Sequence, residues 1–390
     1  MRLRWDWIFL LWLVLDAGLG IQGADAPTNL TQSAETSGDV STRIYTWLES
    51  QQLPNGLIES SEKSNMCSLY DNSLAVMAFS VRGDFKRAEG ILDFFQSRLK
   101  TEMKAPPGGF GQFRGCDGNT FGPPHRWLGD NAWLLIAINN YHKLAGNQKY
   151  REMAETLEAW IRSLEDKGGV IWGGFEEDGR KIGPNPEGML DAFNAVPGFD
   201  DFHGKFLRNF KLQHWQPKER TIRSSSAVPQ HRYALDLLAW GYCAFPGMTP
   251  EILRTAELCL TTKTSQNGKE VTGFCFDQDH DNVWLEGTGQ MVVAYNTAGQ
   301  ADRASTYLTE LEKAVVPSRK DPELIGIPYT TNPGTHFGDF PLWNGAESNP
   351  CVSSAAWYLF GRWKFDPMAL GRQKDIPPEY QFWILKPSVP

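Results

Sequence analysis

Two kinds of helical segment alternate along this chain, and their alternation limits the folds it can adopt. Segments of the first kind, at 85–99, 150–164 and 304–315, carry apolar residues on one face at helical spacing and charged residues on the other. This pattern is typical of helices with one buried face. Segments of the second kind are apolar on nearly every side, which predicts helices buried all round. They include 132–138, 233–240, 291–295 and 352–360.

The order of these segments predicts a closed ring of helices. The fully buried helices begin near residues 67, 129, 186, 231, 285 and 350. Amphipathic helices lie between them, and one more, around 40–50, precedes the first. Because the spacing is uneven, a short solenoid repeat fits poorly. We therefore predict an all-α fold: a single domain over 27–390, built as an (α/α)6 toroid of six inner and six outer helices. Short strands are expected around 170–175 and 271–276.

Composition excludes several classes of function. The 390 residues carry a formal net charge of −8, and the sequence pI is about 5.5. Without a clustered Lys/Arg stripe, this argues against a nucleic-acid partner. Beyond the N-terminus no apolar run approaches the roughly 20 residues that a spanning helix needs, so no membrane partner is expected.

The N-terminus has the pattern of a secretory signal peptide. Arg2 and Arg4 precede a short apolar run, Ile8 to Leu15, and small residues follow it. We expect residues 1–24 to be removed and the mature protein to be secreted or periplasmic, with an uncleaved anchor as the weaker alternative. In an oxidising compartment the six cysteines could form disulfides, and the sequence does not choose among their pairings. Cys259 and Cys275 could join one loop, whereas Cys243, set among aromatic residues, could form a disulfide or stay a buried free thiol.

The sequence does not call for a metal or another cofactor. No Cys-x-x-Cys motif occurs. The segment 277–282 begins like a calcium loop, but Asn282 stands where such a loop needs glycine and Thr288 where it needs glutamate. A solvated acidic turn is the favoured interpretation.

Carboxylates stand at the starts of the buried helices, where apolar residues would be expected. They are Asp71, Asp130, Glu187, Asp191, Asp236 and Glu286. Any one of them could be a helix cap or part of a buried ion pair, since acids suit the first turn of a helix. Six at the same end of successive inner helices indicate one acidic site.

Aromatic residues in or beside the predicted loops indicate a sugar ligand. The tryptophans in question are Trp127, Trp133, Trp172, Trp284 and Trp343. Flat aromatic faces stack on sugar rings, and carboxylates bind their hydroxyls. We include Arg126, His231, Asp130, Glu187 and Asp236 in the predicted substrate-binding set.

Several motifs resemble the six-hairpin glycosidase-like superfamily, whose members are (α/α)6 toroids. The resemblance rests on 70–75, 129–133, 186–193, 284–288 and 354–357. It implies a glycoside hydrolase acting on a poly- or oligosaccharide, commonly with an inverting mechanism. We assign Glu286 as the general acid and Asp71 or Asp191 as the base. Two alternatives stay open: a polysaccharide lyase of the same fold, for which 231–233 could supply the residues, and a non-catalytic carbohydrate-binding protein.

Overall fold

The structure is a computed structural model that describes residues 39–224, 229–337 and 340–384. The predicted signal peptide lies outside these ranges. The outer helices are α1 (Val40–Ser50), α3 (Phe85–Arg98), α5 (Arg151–Ser163), α7 (Asp201–Gln213), α9 (Glu251–Ala256) and α11 (Ala301–Lys313). The inner helices are α2 (Leu69–Val81), α4 (Leu128–Ala145), α6 (Pro186–Ala195), α8 (Leu235–Ala244), α10 (Leu285–Thr297) and α12 (Val352–Trp363). A short α13 (Ala369–Arg372) follows.

The inner helices close into a ring. Each packs against the next in chain order, and α12 packs against α2. Nearly all residues of the inner helices are buried, whereas the outer helices bury one face. The all-α toroid predicted from the alternation is confirmed.

Residue type explains several of the helix boundaries. Gly146 ends α4 in the left-handed conformation, with φ 66°, a backbone that glycine adopts without steric cost. Asp84 caps α3, its side chain accepting from the backbone N–H of Arg87 at 3.2 Å. The fourth inner helix begins at Leu235, later than predicted, because residues 229–231 form a 3-10 turn and Ala234 is extended.

Six two-stranded antiparallel sheets decorate the loops of the described chain. Their strands are β1 (Cys67–Ser68), β2 (Phe113–Arg114), β3 (Arg126–Trp127), β4 (Gly174–Phe175), β5 (Trp215–Gln216), β6 (Thr221–Ile222), β7 (Leu260–Thr264), β8 (Glu270–Phe274), β9 (Val316–Pro317), β10 (Ile325–Gly326), β11 (His336–Phe337) and β12 (Phe340–Pro341). β4 falls within one predicted strand region, and β8 overlaps the other but begins one residue earlier. β1 and β3 run directly into α2 and α4, so their pairing with β2 and β4 fixes where those inner helices begin.

All six cysteines are free thiols in this structure. The Sγ atoms of Cys67 and Cys116 lie 4.0 Å apart. Cys243 is buried, as one of the two alternatives for it predicted. Among the described helices none is both long and apolar enough to cross a bilayer.

Candidate active site

A cavity of about 230 Å³ opens where the inner helices begin. All six carboxylates singled out in the sequence line it, together with four of the five tryptophans. The lining residues from the predicted set are Asp71, Asp130, Glu187, Asp191, Asp236, Glu286, Trp127, Trp133, Trp284 and Trp343. The ring thus brings together side chains from five inner helices, α2, α4, α6, α8 and α10.

The first turns of the inner helices position five of the six acids. Asp71, Asp130, Glu187, Asp236 and Glu286 each lie in the first turn of an inner helix. There the free backbone N–H groups favour negative charge by about 0.3–1 kcal/mol. Burial outweighs this effect, because the pKa of every one of the five is raised.

Glu286 is held in a hydrogen-bonded chain at the cavity wall. The Tyr70 hydroxyl donates to Glu286 Oε1 at 2.8 Å, and Gln290 Nε2 donates to the same oxygen at 3.1 Å. The Trp357 indole N–H donates to the Tyr70 oxygen at 2.8 Å. Burial raises the pKa of Glu286 to about 8, the negative charge of Asp71 adds to this, and the Tyr70 hydrogen bond opposes it. Glu286 therefore stays protonated at neutral pH.

Serine residues surround Asp71. Its backbone N–H donates to the Ser68 hydroxyl at 2.9 Å, which caps α2. Burial raises the pKa of Asp71 to about 6, while the hydroxyls of Ser60 and Ser68 and the Ser353 backbone hold it down. At neutral pH Asp71 is mainly ionised, so the cavity places an ionised carboxylate near a protonated one.

The lining contains four further acids, which we call the acidic wall: Asp130, Glu187, Asp191 and Asp236. Burial raises the pKa of Asp130 to about 7. Burial, followed by repulsion from the other three, raises the pKa of Asp191 well above its usual range. The Trp133 indole faces Asp191 and lowers its pKa, but the two do not meet hydrogen-bond geometry.

Aromatic rings also line the cavity, beside serines and other small or polar residues. Trp133 packs edge-on against Tyr70, Trp240 and Trp357, with ring centroids 5.4, 5.3 and 5.7 Å apart. The indole N–H groups of Trp133 and Trp240 are buried without a hydrogen-bond acceptor among the described residues. On the other side Tyr329 contacts Trp343, with centroids 4.7 Å apart. Flat rings with free polar edges suit a sugar, which has apolar faces and a polar rim.

Three predicted substrate-binding residues do not line the cavity. Arg126 donates to the backbone carbonyls of Gly109 and Pro124, both at 3.2 Å, which makes it a loop brace. Trp172 lies under the ammonium of Lys181, 5.4 Å from the ring centre. His231 lies 2.7 Å from Asp277 and stacks on Phe276. Their positions give no support to direct substrate contact.

The sequence interpretation missed several lining residues. Tyr70, Trp240 and Tyr329 all line the cavity. Tyr70 stands next to Asp71 in a motif that was singled out only for its acid. Tyr329 lies in a loop with no distinguishing neighbour, so no local signal could have found it.

One group of described residues has donor atoms arranged for a metal ion. Atoms of Cys275, Asp279 and Asp281 all lie within 4.8 Å of one another, in the acidic turn considered as a calcium loop. None of the three lines the cavity. This group of three residues is therefore separate from the cavity lining.

No protein-family model and no curated protein sequence matches the chain. Solved structures do match. A glycosidase variant in complex with glucose superposes with a TM-score of 0.59 at 11% identity, over 85% of this chain and 96% of the other. A sugar epimerase from a ruminal bacterium gives 0.57 at 10% identity, over 83% and 97%. A bacterial glucoamylase complexed with acarbose gives 0.60 at 12% identity, over 85% of this chain and 57% of the glucoamylase.

At such identities the likeness shows the fold alone. The chain has the (α/α)6 toroid fold predicted from its sequence, and it shares this fold with those structures. These comparisons identify no family for the chain.

Proposed function

We propose that this protein is a glycoside hydrolase that acts on a poly- or oligosaccharide, with Glu286 as general acid and Asp71 as general base. One observation carries the proposal: two buried carboxyls of one cavity have pKa values separated by their surroundings, about 8 for Glu286 and about 6 for Asp71. Glycosidic hydrolysis needs one carboxyl protonated and another ionised. The fold, shared with glycosidases and sugar epimerases, supports a carbohydrate-active enzyme.

The division of roles follows from protonation. Glu286 gives its proton to the glycosidic oxygen as the bond to the leaving sugar breaks, and Asp71 takes a proton from the attacking water. Asp191, the other base considered from sequence, is a poorer choice. Its pKa is raised well above the usual range by burial and by three neighbouring carboxyls, so it is protonated where a base must be ionised.

The positions of residues 231–233 do not support a lyase. Such an enzyme would use a cation to hold the uronate carboxylate, but none of these three residues lines the cavity. Arg232 is paired with Glu219 at 3.1 Å, and the Tyr233 hydroxyl also donates to Glu219. No observation favours the lyase over the hydrolase.

A glycan-panel hydrolysis screen of the mature protein tests the proposal. Glu286→Gln and Asp71→Asn should each lower the turnover of an identified substrate by about 10²–10⁴-fold, because each removes one proton-transfer group. Glu379→Gln, at an exposed glutamate, is the matched control and should retain full activity. Wild-type activity in Glu286→Gln would refute the acid role. Glycan binding without any turnover would identify the non-catalytic alternative.

We also propose that the protein is exported with removal of residues 1–24. The charged start, short apolar run and small residues of the N-terminus support this. N-terminal sequencing of secreted material should find a start between about residues 20 and 27. An intact Met1 would contradict cleavage.

A further inference from the structure

Acidic side chains dominate the cavity lining. Six carboxyls line it, and no Lys, Arg or His is found among its lining residues within the described part of the chain. His231 lowers the pKa of Asp236 in the acidic wall, but it is itself paired with Asp277. Hydrolysis employs Asp71 and Glu286. The described lining offers no basic partner to the four carboxyls of the acidic wall.

Asp191 is the centre of this wall. It is 2% exposed, and its Oδ1 atom has no hydrogen-bond partner. Asn185 Oδ1, a second acceptor in the lining, is also buried without a donor. Asp191 Oδ2 packs so closely over Gly129 that a Cβ atom there would lie 3.2 Å from it. Asp130, Glu187 and Asp236 each disfavour the ionised form of Asp191.

A ligand that contacts Asp191 Oδ1 and Asn185 Oδ1 must supply donors to them. A hydroxyl brings an acceptor with each donor, whereas an ammonium group has three donors and no acceptor. A uronate would add negative charge to a cavity that has no described cation to hold it. An N-acetyl group would replace the charge by an amide, which offers one N–H donor and adds a carbonyl acceptor.

We propose that the substrate is a glycan containing amino sugars with free amines, and that the sugar ammonium displaces the proton of Asp191 and pairs with its carboxylate within the acidic wall. The inference rests on the proposed function, because it assigns the substrate class of the same cavity. The rings and indole N–H groups of Trp133 and Trp240 would then serve the sugar's apolar face and hydroxyl oxygens.

Binding of matched monosaccharide pairs tests the inference independently of turnover. Glucosamine, galactosamine and mannosamine are compared with glucose, galactose and mannose by calorimetry at neutral pH. In at least one pair the amine should bind about tenfold or more tightly, the ratio that one charged contact supplies. Amine binding should also release protons, measured from the heats in two buffers of different ionisation enthalpy. The groups that can release them are the four wall carboxyls, Asp71 and Glu286, with His231 beside them.

Substitutions distinguish a specific role of the acidic wall in amine binding from general effects on the protein. Asp191→Asn should bring the amine-to-neutral ratio close to one, whereas Asp201→Asn, at an exposed acid of α7, should leave it unchanged. If Asp191→Asn does not fold, Asp130→Asn should reduce the ratio by the same reasoning. Glucosamine oligosaccharides and their N-acetylated and neutral counterparts are then compared as substrates.

The outcomes distinguish the two proposals. Hydrolysis of neutral or uronate glycans without preference for amines would overturn the substrate class and leave the glycosidase assignment intact. Absence of hydrolysis with every glycan would overturn the proposed function. An amine preference that survives Asp191→Asn would refute the role of that residue.

Discussion

Replacing Glu286 by glutamine should stabilise the fold in a strongly pH-dependent way. The pKa of this carboxyl is about 8 in the folded protein against a reference value of 4.5, so the folded state binds its proton more tightly than the unfolded chain. Stability from the protonated carboxyl is therefore fully present below about pH 4.5 and is lost as the pH rises through about 8. Glutamine keeps the shape, and its amide oxygen can still accept from Tyr70 and Gln290.

The size of the effect follows from the difference between the two pKa values. Each pKa unit corresponds to about 1.4 kcal/mol. Between about pH 5 and pH 8 the unfolded carboxyl ionises while the folded one largely does not, which costs the wild type about 3–4 kcal/mol. The stability difference between Glu286→Gln and the wild type should shift in favour of the variant by that amount. Neighbouring acids that titrate in the same range can share the protons and reduce it.

Urea unfolding at the two pH values measures this difference without a known substrate. Glu379→Gln serves as the control, because an exposed side chain has the same solvent in both states. A stability difference that is equal at pH 5 and pH 8 would show that burial does not hold Glu286 protonated. The acid role would then lose its physical basis.

Three further substitutions probe the cavity and the far end of the ring. Tyr70→Phe removes a hydrogen bond to the ionised form of Glu286, worth about 1.5–3 kcal/mol. The alkaline limb of the kcat/KM profile should therefore move up by about one pH unit; an unmoved limb would contradict the contact. Gly287→Ala places a Cβ atom 2.1 Å from the Trp284 ring, so thermal unfolding should show a loss of about 1–3 kcal/mol, and an unchanged Tm would be evidence against this packing. Burial lowers the pKa of Lys374 to about 7, so the free-energy cost of burying this lysine grows as the pH falls from 10.5 to 7. Lys374→Met should therefore raise Tm at neutral pH, and the gain should shrink towards pH 10. A gain that is the same at both pH values would show that the lysine is solvated.

The helices could be predicted because their signals are local. The first helix was expected at 40–50 and runs over Val40–Ser50, and the outer helix expected at 150–164 runs over Arg151–Ser163. Apolar spacing and the glycine at 146 fix such elements within a few residues of sequence. Ring closure could also be inferred, because six pairs of unequal length leave few other ways to bury every inner helix.

The partners of the site residues could not be predicted in the same way. Tyr70 and Glu286 are 216 positions apart, and their hydrogen bond exists only because α2 and α10 face one cavity. Arg126 and Trp172 illustrate the opposite error. Both lie beside the loops that enter the ring, but β3 and the Lys181 contact direct them away from the cavity lining.

The chemical roles of the acids depend on their neighbours more than on their positions. Asp71 and Glu286 occupy nearly equivalent places, each in the first turn of an inner helix, where the helix N-terminus favours charge on both. Serine hydroxyls and a backbone N–H hold the pKa of Asp71 to about 6 against the effect of burial. At Glu286, burial and the charge of Asp71 raise the pKa to about 8 in spite of hydrogen bonds from Tyr70 and Ser353. The residue types at the helix starts mark where the chemistry lies. The division between acid and base arises only when the ring buries both carboxyls and sets different neighbours against each of them.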